Sequence, residues 1–402
     1  MNIQEVFTMK KILAVLLAIV MTLSLSSVSF AADSDYTLQF GADGKFDIML
    51  VADAQDGFPI EEDFKNAFNQ ALDKAEPDLV IFLGDIVMGA ETDEDYWAGY
   101  EDLLNPLVDR DIPFTLVFGN HDDQDSNKNS TRDEKLAKYM SFDNCLAYDA
   151  DPALHGSGTH NLEILSSDGT KTAFNLWMMD SGDYIEGGYD CVRADQLEWY
   201  DAVSKELEAA NGGKVPSFMF QHIVPAEVAK QVMFTVNGNL GDGASTNFTD
   251  GTAATYLPNI FGFEEGWMFE QACPSPDCEG QWDAISERGD VLGVFFGHDH
   301  INTYVANVNG IDAVNVPGST YNSYYDMLCQ GFMVLSLDES DLSTYERTML
   351  YTSDLALEEG SKLPEGNHSK AYYQFANILR PVMNFIVKAM RVALYPFFFW
   401  AA

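Results

Sequence analysis

The sequence predicts an α/β fold, and three observations predict it. Short apolar runs alternate with helix-spaced segments from residue 45 onward, as in βαβ units with a parallel sheet. Hydrophobic residues make up 47% and aromatic residues 13% of 402, ample for a large core and too many for a disordered chain. Polar residues able to do chemistry cluster at the ends of the apolar runs, where strands of an open α/β sheet converge on one crevice.

The elements follow in order. Residues 46–51 (Phe-Asp-Ile-Met-Leu-Val) read as a buried strand, 60–75 as a helix, 79–83 as a second strand and 94–109 as a second helix. Runs at 114–118, 174–179, 217–221, 291–296, 313–316 and 332–337 read as further strands. The stretch 235–282, rich in Gly, Asn, Thr and Pro, reads as a long excursion near the site rather than a separate domain.

Charge narrows the function. Lys plus Arg total 22 against 63 Asp plus Glu, a formal net charge of −41. Such a surface repels polyphosphate backbones, so nucleic-acid polymers are not expected partners. At the N-terminus Lys10 and Lys11 precede an uncharged apolar stretch that ends in serines, Ala31 and Ala32. That pattern reads as an export signal over 1–32, with an uncleaved anchor as the alternative. Secretion or another extracytoplasmic location follows from either. Of five cysteines, Cys273 and Cys278 flank Pro-Ser-Pro-Asp and could close a small disulfide loop, or all five could be separate thiols.

Five clusters carry the chemistry: Asp53 to Gln55, Gly84-Asp85, Gly119 to Asp122, Gln221-His222, and Gly297 to His300. Carboxylate, amide and imidazole without thiolate suit Mn, Fe or Zn. Asp122 could cap a helix or orient an imidazole, and the cap is the expected role. His155 and His160 read as surface-loop residues or as lining the site, Asp180 as a turn cap or, with Asp183 and Tyr184, a support of the site, and Asp299 as pointing away from it.

The ordered set Asp-x-Gln, Gly-Asp, Gly-Asn-His-Asp, His, Gly-His-Asp-His resembles the calcineurin-like metallophosphoesterase family, in its purple-acid-phosphatase-like branch. Leu176 to Tyr184, Asp195 to Tyr200 and Pro317-Gly318-Ser319 extend the resemblance over about residues 45–350. It implies a two-sheet β-sandwich flanked by helices over 33–355. It also implies two divalent metal ions bridged by Asp85, the first held by Asp53, Gln55 and His300, the second by Asn120, His222 and His298. A hydroxide between the metals would attack a phosphate ester. His121 would protonate the leaving group, or only hold a phosphate oxygen.

Two departures accompany the resemblance. Gln55 stands where the family often has His, and Met88 where purple enzymes have Tyr; Met88 is expected in the core. Divalent metals and a colourless protein follow. An exported binding protein that keeps the fold without turnover is the alternative to a hydrolase acting on a small phosphate ester.

The tail differs from the rest. Residues 356–402 read as a linker and a basic amphipathic helix, with Lys362, Lys370, Arg380, Lys388 and Arg391 against Glu365 alone from 361 onward. Arg380, Asn384, Lys388, Arg391 and Tyr395 share an arc of about 80°. The helix is expected to lie on an anionic membrane surface or to dock on its own acidic domain. Three interior charges, Pro381 and Pro396 argue against a span.

Overall fold

The run Lys45–Val51 forms the first strand, β1, and its last four side chains are all buried. They are apolar on both sides because the strand lies between two cores: Ile48 and Leu50 enter one, Met49 and Val51 the other. The computed structural model describes residues 36–88, 92–122, 130–235, 256–276, 278, 280–362 and 369–398. The export segment therefore lies outside the described residues.

In chain order β1 is followed by α1 (Glu62–Ala75), β2 (Leu79–Leu83), α2 (Asp93–Val108), β3 (Phe114–Val117), α3 (Arg132–Tyr139), β4 (His160–Leu165) and β5 (Thr172–Met178). Next come β6 (Tyr184–Ile185), β7 (Gly188–Tyr189), α4 (Ala194–Asn211), β8 (Ser217–Gln221), α5 (Ala226–Val232), β9 (Met233–Thr235) and β10 (Tyr256–Pro258). The chain continues through α6 (Gln281–Arg288), β11 (Val291–Phe296), β12 (Val305–Val308), β13 (Ile311–Asn315), β14 (Gly331–Asp338), β15 (Glu346–Tyr351), α7 (Thr352–Leu355) and α8 (Lys370–Phe398).

Two sheets stack face to face. One has the order β15-β14-β1-β2-β3, the other β12-β13-β11-β8-β5-β4. β1, β2 and β3 run parallel, as do β5, β8, β11 and β13. β14, β15, β4 and β12 pair antiparallel, so each sheet is mixed rather than purely parallel. Between the sheets Leu50, Ile81, Phe174, Phe218, Phe295 and Leu335 share one apolar cluster. Outside the first sheet Phe64, Phe68, Tyr100 and Leu104 of α1 and α2 cover Met49, Val80 and Phe82. Outside the second, Tyr200, Val228, Trp282 and Ile285 of α4 to α6 cover Trp177, Met219 and Val294. The result is a helix-sheet-sheet-helix stack.

The sheet pairing also fixes the site. β1, β2 and β3 end on the same side as the parallel strands β8 and β11, so five carboxyl ends open into one cleft. The cysteines pair differently from the local expectation: Cys191 bonds Cys278, 87 positions further along the chain, with Cα atoms 6.2 Å apart, while Cys273 is a free thiol. Chain spacing gave no sign of a contact made by two loops meeting over α5. Met88 is only partly buried, because it lies past the end of β2 rather than within a core layer.

Tail helix α8 docks on the domain through part of its basic side. Arg380 is 7% exposed and pairs with Asp354 at 3.1 Å, while its guanidinium lies 3.5 Å from the centre of the Tyr351 ring. Arg391 donates to the Glu264 carbonyl. Among the described residues no helix is long and apolar enough to cross a membrane.

Phe218 sits at the centre of the sandwich, with ring centroids of Phe174, Phe295 and Tyr345 within 4.7–5.0 Å. Phe218→Ala is expected to cost about 3–5 kcal/mol of stability. Urea unfolding followed by fluorescence measures it, and a loss below about 1 kcal/mol would place the core elsewhere.

Candidate metal centre

Each sequence-predicted site residue leaves a strand end. Asp53 and Gln55 follow β1, Asp85 follows β2, Asn120 and His121 follow β3, His222 follows β8, and His298 and His300 follow β11. Tight turns aim them. Asp53, Gln55, Asp85 and His298 have positive φ of 48°, 39°, 52° and 71°, four of the seven such non-glycine residues among those described. That conformation costs of order 1 kcal/mol each and persists where the surroundings enforce it. Gly84 and Gly119 leave room for the approach: a Cβ on Gly119 would lie 2.2 Å from Asp85 Oδ1, and one on Gly84 2.7 Å from His222 Nδ1.

The eight residues meet. Asp85, His222 and His298 bring one ligand atom each to within 4.8 Å of one another, all buried. His222 Nε2 is 3.1 Å from Asp85 Oδ2 and 3.1 Å from Asn120 Oδ1, and Asp53 Oδ1 is 3.5 Å from His300 Nε2. Gln55 Nε2 donates to Asp85 Oδ2 at 3.0 Å. The His121 amide donates to Asp85 Oδ1 at 2.7 Å, and its ring stands partly exposed at the mouth.

Tautomers follow from the partners. His222 Nδ1 lies 2.7 Å from the Leu83 carbonyl and His300 Nδ1 2.9 Å from the Tyr324 carbonyl. A carbonyl only accepts, so both Nδ1 atoms carry hydrogen and both Nε2 atoms face the cluster.

Electrostatics test whether cations fit. Burial pushes the Asp53 carboxyl well above its usual range, with His222 only partly opposing. Burial also acts upward on Asp85, but the adjacent His222 holds it well below the usual range. On His222 burial acts downward, yet Asp85 and Asp53 outweigh it and raise the imidazole to about 10. His298 is driven well below its ordinary value by burial and by His222, and burial lowers His300 to about 4 despite its bond to Tyr324. The buried pair thus takes up protons, one favoured on Asp53 by burial and one on His222 by Asp85, and divalent cations would displace them. Among the described residues, His298 Nε2 is buried without a hydrogen-bond partner. A neutral imidazole with an orphaned lone pair beside two carboxylates is what a metal site offers, so the residues fit.

The supports were partly missed by sequence reading. Asp122 is no helix cap: its carboxylate accepts from the amides of Asp85 (2.9 Å), Ile86 (3.0 Å) and Gly119 (2.7 Å), tying the turn after β2 to the turn after β3. Arg132, in the first turn of α3, pairs with Asp180 at 2.6 Å and donates to the Gly119 carbonyl at 2.9 Å. Asp180 also accepts from the Gly182 amide, so it caps a turn as well. Ser181 Oγ accepts from the amides of His222 and Ile223. Tyr184 Oη accepts from Asn120 Nδ2 at 2.8 Å, which turns the Asn120 carbonyl oxygen inward.

Tyr324 stacks on His300 with centroids 4.1 Å apart, and Tyr189 meets His298 edge-on at 4.3 Å. Nothing in their sequence surroundings marked Arg132, Tyr189 or Tyr324. His155 and His160 stand outside the cluster. His155 bonds Asp190 on the surface, whereas His160 is buried on β4 against Thr115, since its place in a strand turns it inward. Asp299 is buried and its carboxyl meets Cys273 rather than the cluster.

Comparison with known proteins places this geometry. The profile described as calcineurin-like phosphoesterase matches residues 46–302. The chain belongs to that family. It is 28% identical over 355 residues to the Arabidopsis thaliana protein named "Probable inactive purple acid phosphatase 14", covering 79% of this chain and 81% of that one. It is also 28% identical over 293 residues to "Phosphatase DCR2" of Saccharomyces cerevisiae, covering 66% of this chain and 46% of the relative. Among solved structures, a dimetal phosphatase from Danio rerio covers 73% of this chain and 93% of its own at 14% identity, with a TM-score of 0.44. This calcineurin-like chain thus belongs to a phosphoesterase family with purple-acid-phosphatase-like relatives, and it carries a cluster suited to metal.

Asp122 touches no candidate ligand atom yet holds three buried amides. Asp122→Ala should therefore lower stability by more than about 2 kcal/mol and weaken Mn²⁺ binding together. Thermal unfolding and calorimetric titration measure both. Unchanged metal affinity would show that the turns hold their positions without it.

Proposed function

We propose that this protein is an exported hydrolase that cleaves small phosphate esters with two divalent cations, Mn, Fe or Zn, in the cleft between the sheets. The observation that carries the reading is the buried meeting of Asp85, His222 and His298, with Asn120 Oδ1 3.1 Å from His222, Asp53 3.5 Å from His300, and no partner for His298 Nε2 among the described residues. Asp85, whose Oδ2 meets both His222 and Gln55, one from each proposed ligand set, would be shared between the two cations. Asp53, Gln55 and His300 would hold one cation, and Asn120, His222 and His298 the other. Such a pair, when bound, would supply an activated water and would neutralise charge gathering on the phosphoryl oxygens.

The chain's own residues do the rest. His121 is fixed at its backbone by Asp85 and stands at the mouth, so its ring can give a proton to the ester oxygen as the P–O bond breaks. Tyr184, whose ring is 6.4 Å from that of His121, borders the same opening and positions Asn120. Export is supported by the basic-then-apolar pattern of residues 1–32 and by the pairing of Cys191 with Cys278, since disulfides persist in oxidising compartments.

A second reading, a metal-binding protein without turnover, is favoured by two observations. Gln55 turns its amide nitrogen toward Asp85, and the Arabidopsis relative bears the word inactive in its name.

Kinetics separate the two. Chelator should abolish hydrolysis of p-nitrophenyl phosphate and added divalent metal should restore it. His121→Ala should lower turnover about 10²–10⁴-fold on an alkyl phosphate and far less on the nitrophenyl ester, whose leaving group needs little protonation. Equal losses on both would remove His121 as the acid. Metal binding without hydrolysis of any phosphate ester would establish the second reading.

A further inference from the structure

The outer side of α8 is apolar and uncovered. Phe375, Ile378, Val382, Phe385, Ile386 and Val392 are 42–73% exposed. At 100° per residue they fall within an arc of about 120° that contains no charged residue. The opposite side holds the domain: Ala376 packs with Trp267, Leu328 and Cys329, Arg380 pairs with Asp354, and Arg391 lies 4.6 Å from the centre of the Phe263 ring. Soluble domains rarely leave so continuous an apolar face in water.

We propose that this face is a lipid-docking surface, with α8 lying in the plane of a bilayer and its apolar arc among the acyl chains. Charge chooses lipid over a second copy of the chain. Residues 366–402 contain no Asp or Glu, in a protein with 63 of them. The exposed Lys370 and Lys388 flank the apolar arc on one side, where they reach headgroup phosphates. A second α8 offers them no carboxylate, and bringing two helices together brings two chains of net charge −41 together. Beyond the arc the sequence runs on into Phe397, Phe398, Phe399 and Trp400, aromatic residues of the kind that settle at membrane interfaces.

The mode differs from docking through a basic face. Arg380 and Arg391 are committed to the domain, so apolar burial drives binding and anionic lipid is not required. The inference stands independently of catalysis.

Flotation of the full chain with vesicles tests it. The protein should float with pure phosphatidylcholine vesicles, and phosphatidylglycerol should strengthen this only modestly. Ile378→Ser with Phe385→Ser should reduce partition about tenfold or more, and Val382→Ser with Val392→Ser should do the same if the first pair folds poorly. Leu257→Ser, an exposed apolar residue elsewhere, should leave partition unchanged. Partition indifferent to both α8 pairs would overturn the proposal. So would binding that needs phosphatidylglycerol and vanishes in salt, or a dimer in light scattering that the α8 substitutions dissolve while vesicles are ignored.

Discussion

Two carboxylates buried where two sheets end set the terms for the whole molecule. Asp53 and Asp85 are 0% and 1% exposed, and among the described residues no Lys or Arg side chain pairs with either. Isolated buried carboxylates are untenable, since desolvation costs several kcal/mol or more per charge. The cluster meets the cost with imidazole and invites cations to do so fully. Sandwich, turns and flanking helices are arranged so that this unfavourable grouping is held open rather than collapsed.

Holding it takes a second layer of contacts. Asp122 accepts three amides from two turns, Arg132 clamps the Gly119 carbonyl, and Ser181 receives the amides beside His222. Left-handed backbone at Asp53, Gln55, Asp85 and His298 is sustained by those bonds and by the sheets behind them. Ser319 closes the last gap, its amide and hydroxyl both donating to the Ala52 carbonyl at 2.9 Å. Strain, burial and like charge therefore coincide at one cleft, where a functional site tolerates what a core would reject.

The strands were legible because burial on both faces writes continuous apolar runs: 46–51, 79–83 and 217–221 coincide with β1, β2 and β8 to within a residue. The edge strands β4, β12 and β15 were not, since sequences such as Glu346–Tyr351 (Glu-Arg-Thr-Met-Leu-Tyr) mix charge with apolar residues on a half-exposed face. Candidate site residues stood out through chemistry placed at strand ends. Their supports did not, because Arg132 and Tyr324 act through contacts 13 or more residues away that no local pattern encodes. The same limit applies to Cys191 and Cys278. Composition revealed that α8 is basic and amphipathic, but which side turns inward depended on the carboxylate of Asp354 and the ring of Tyr351.

Anomalous X-ray scattering from crystals grown with Mn²⁺ tests the central claim most directly. Two strong peaks are expected in the cleft, one on each side of Asp85, the first bordered by Asp53 and His300 and the second by His222 and His298. A cleft without anomalous signal, with His222 still bonded to Asp85, would contradict it.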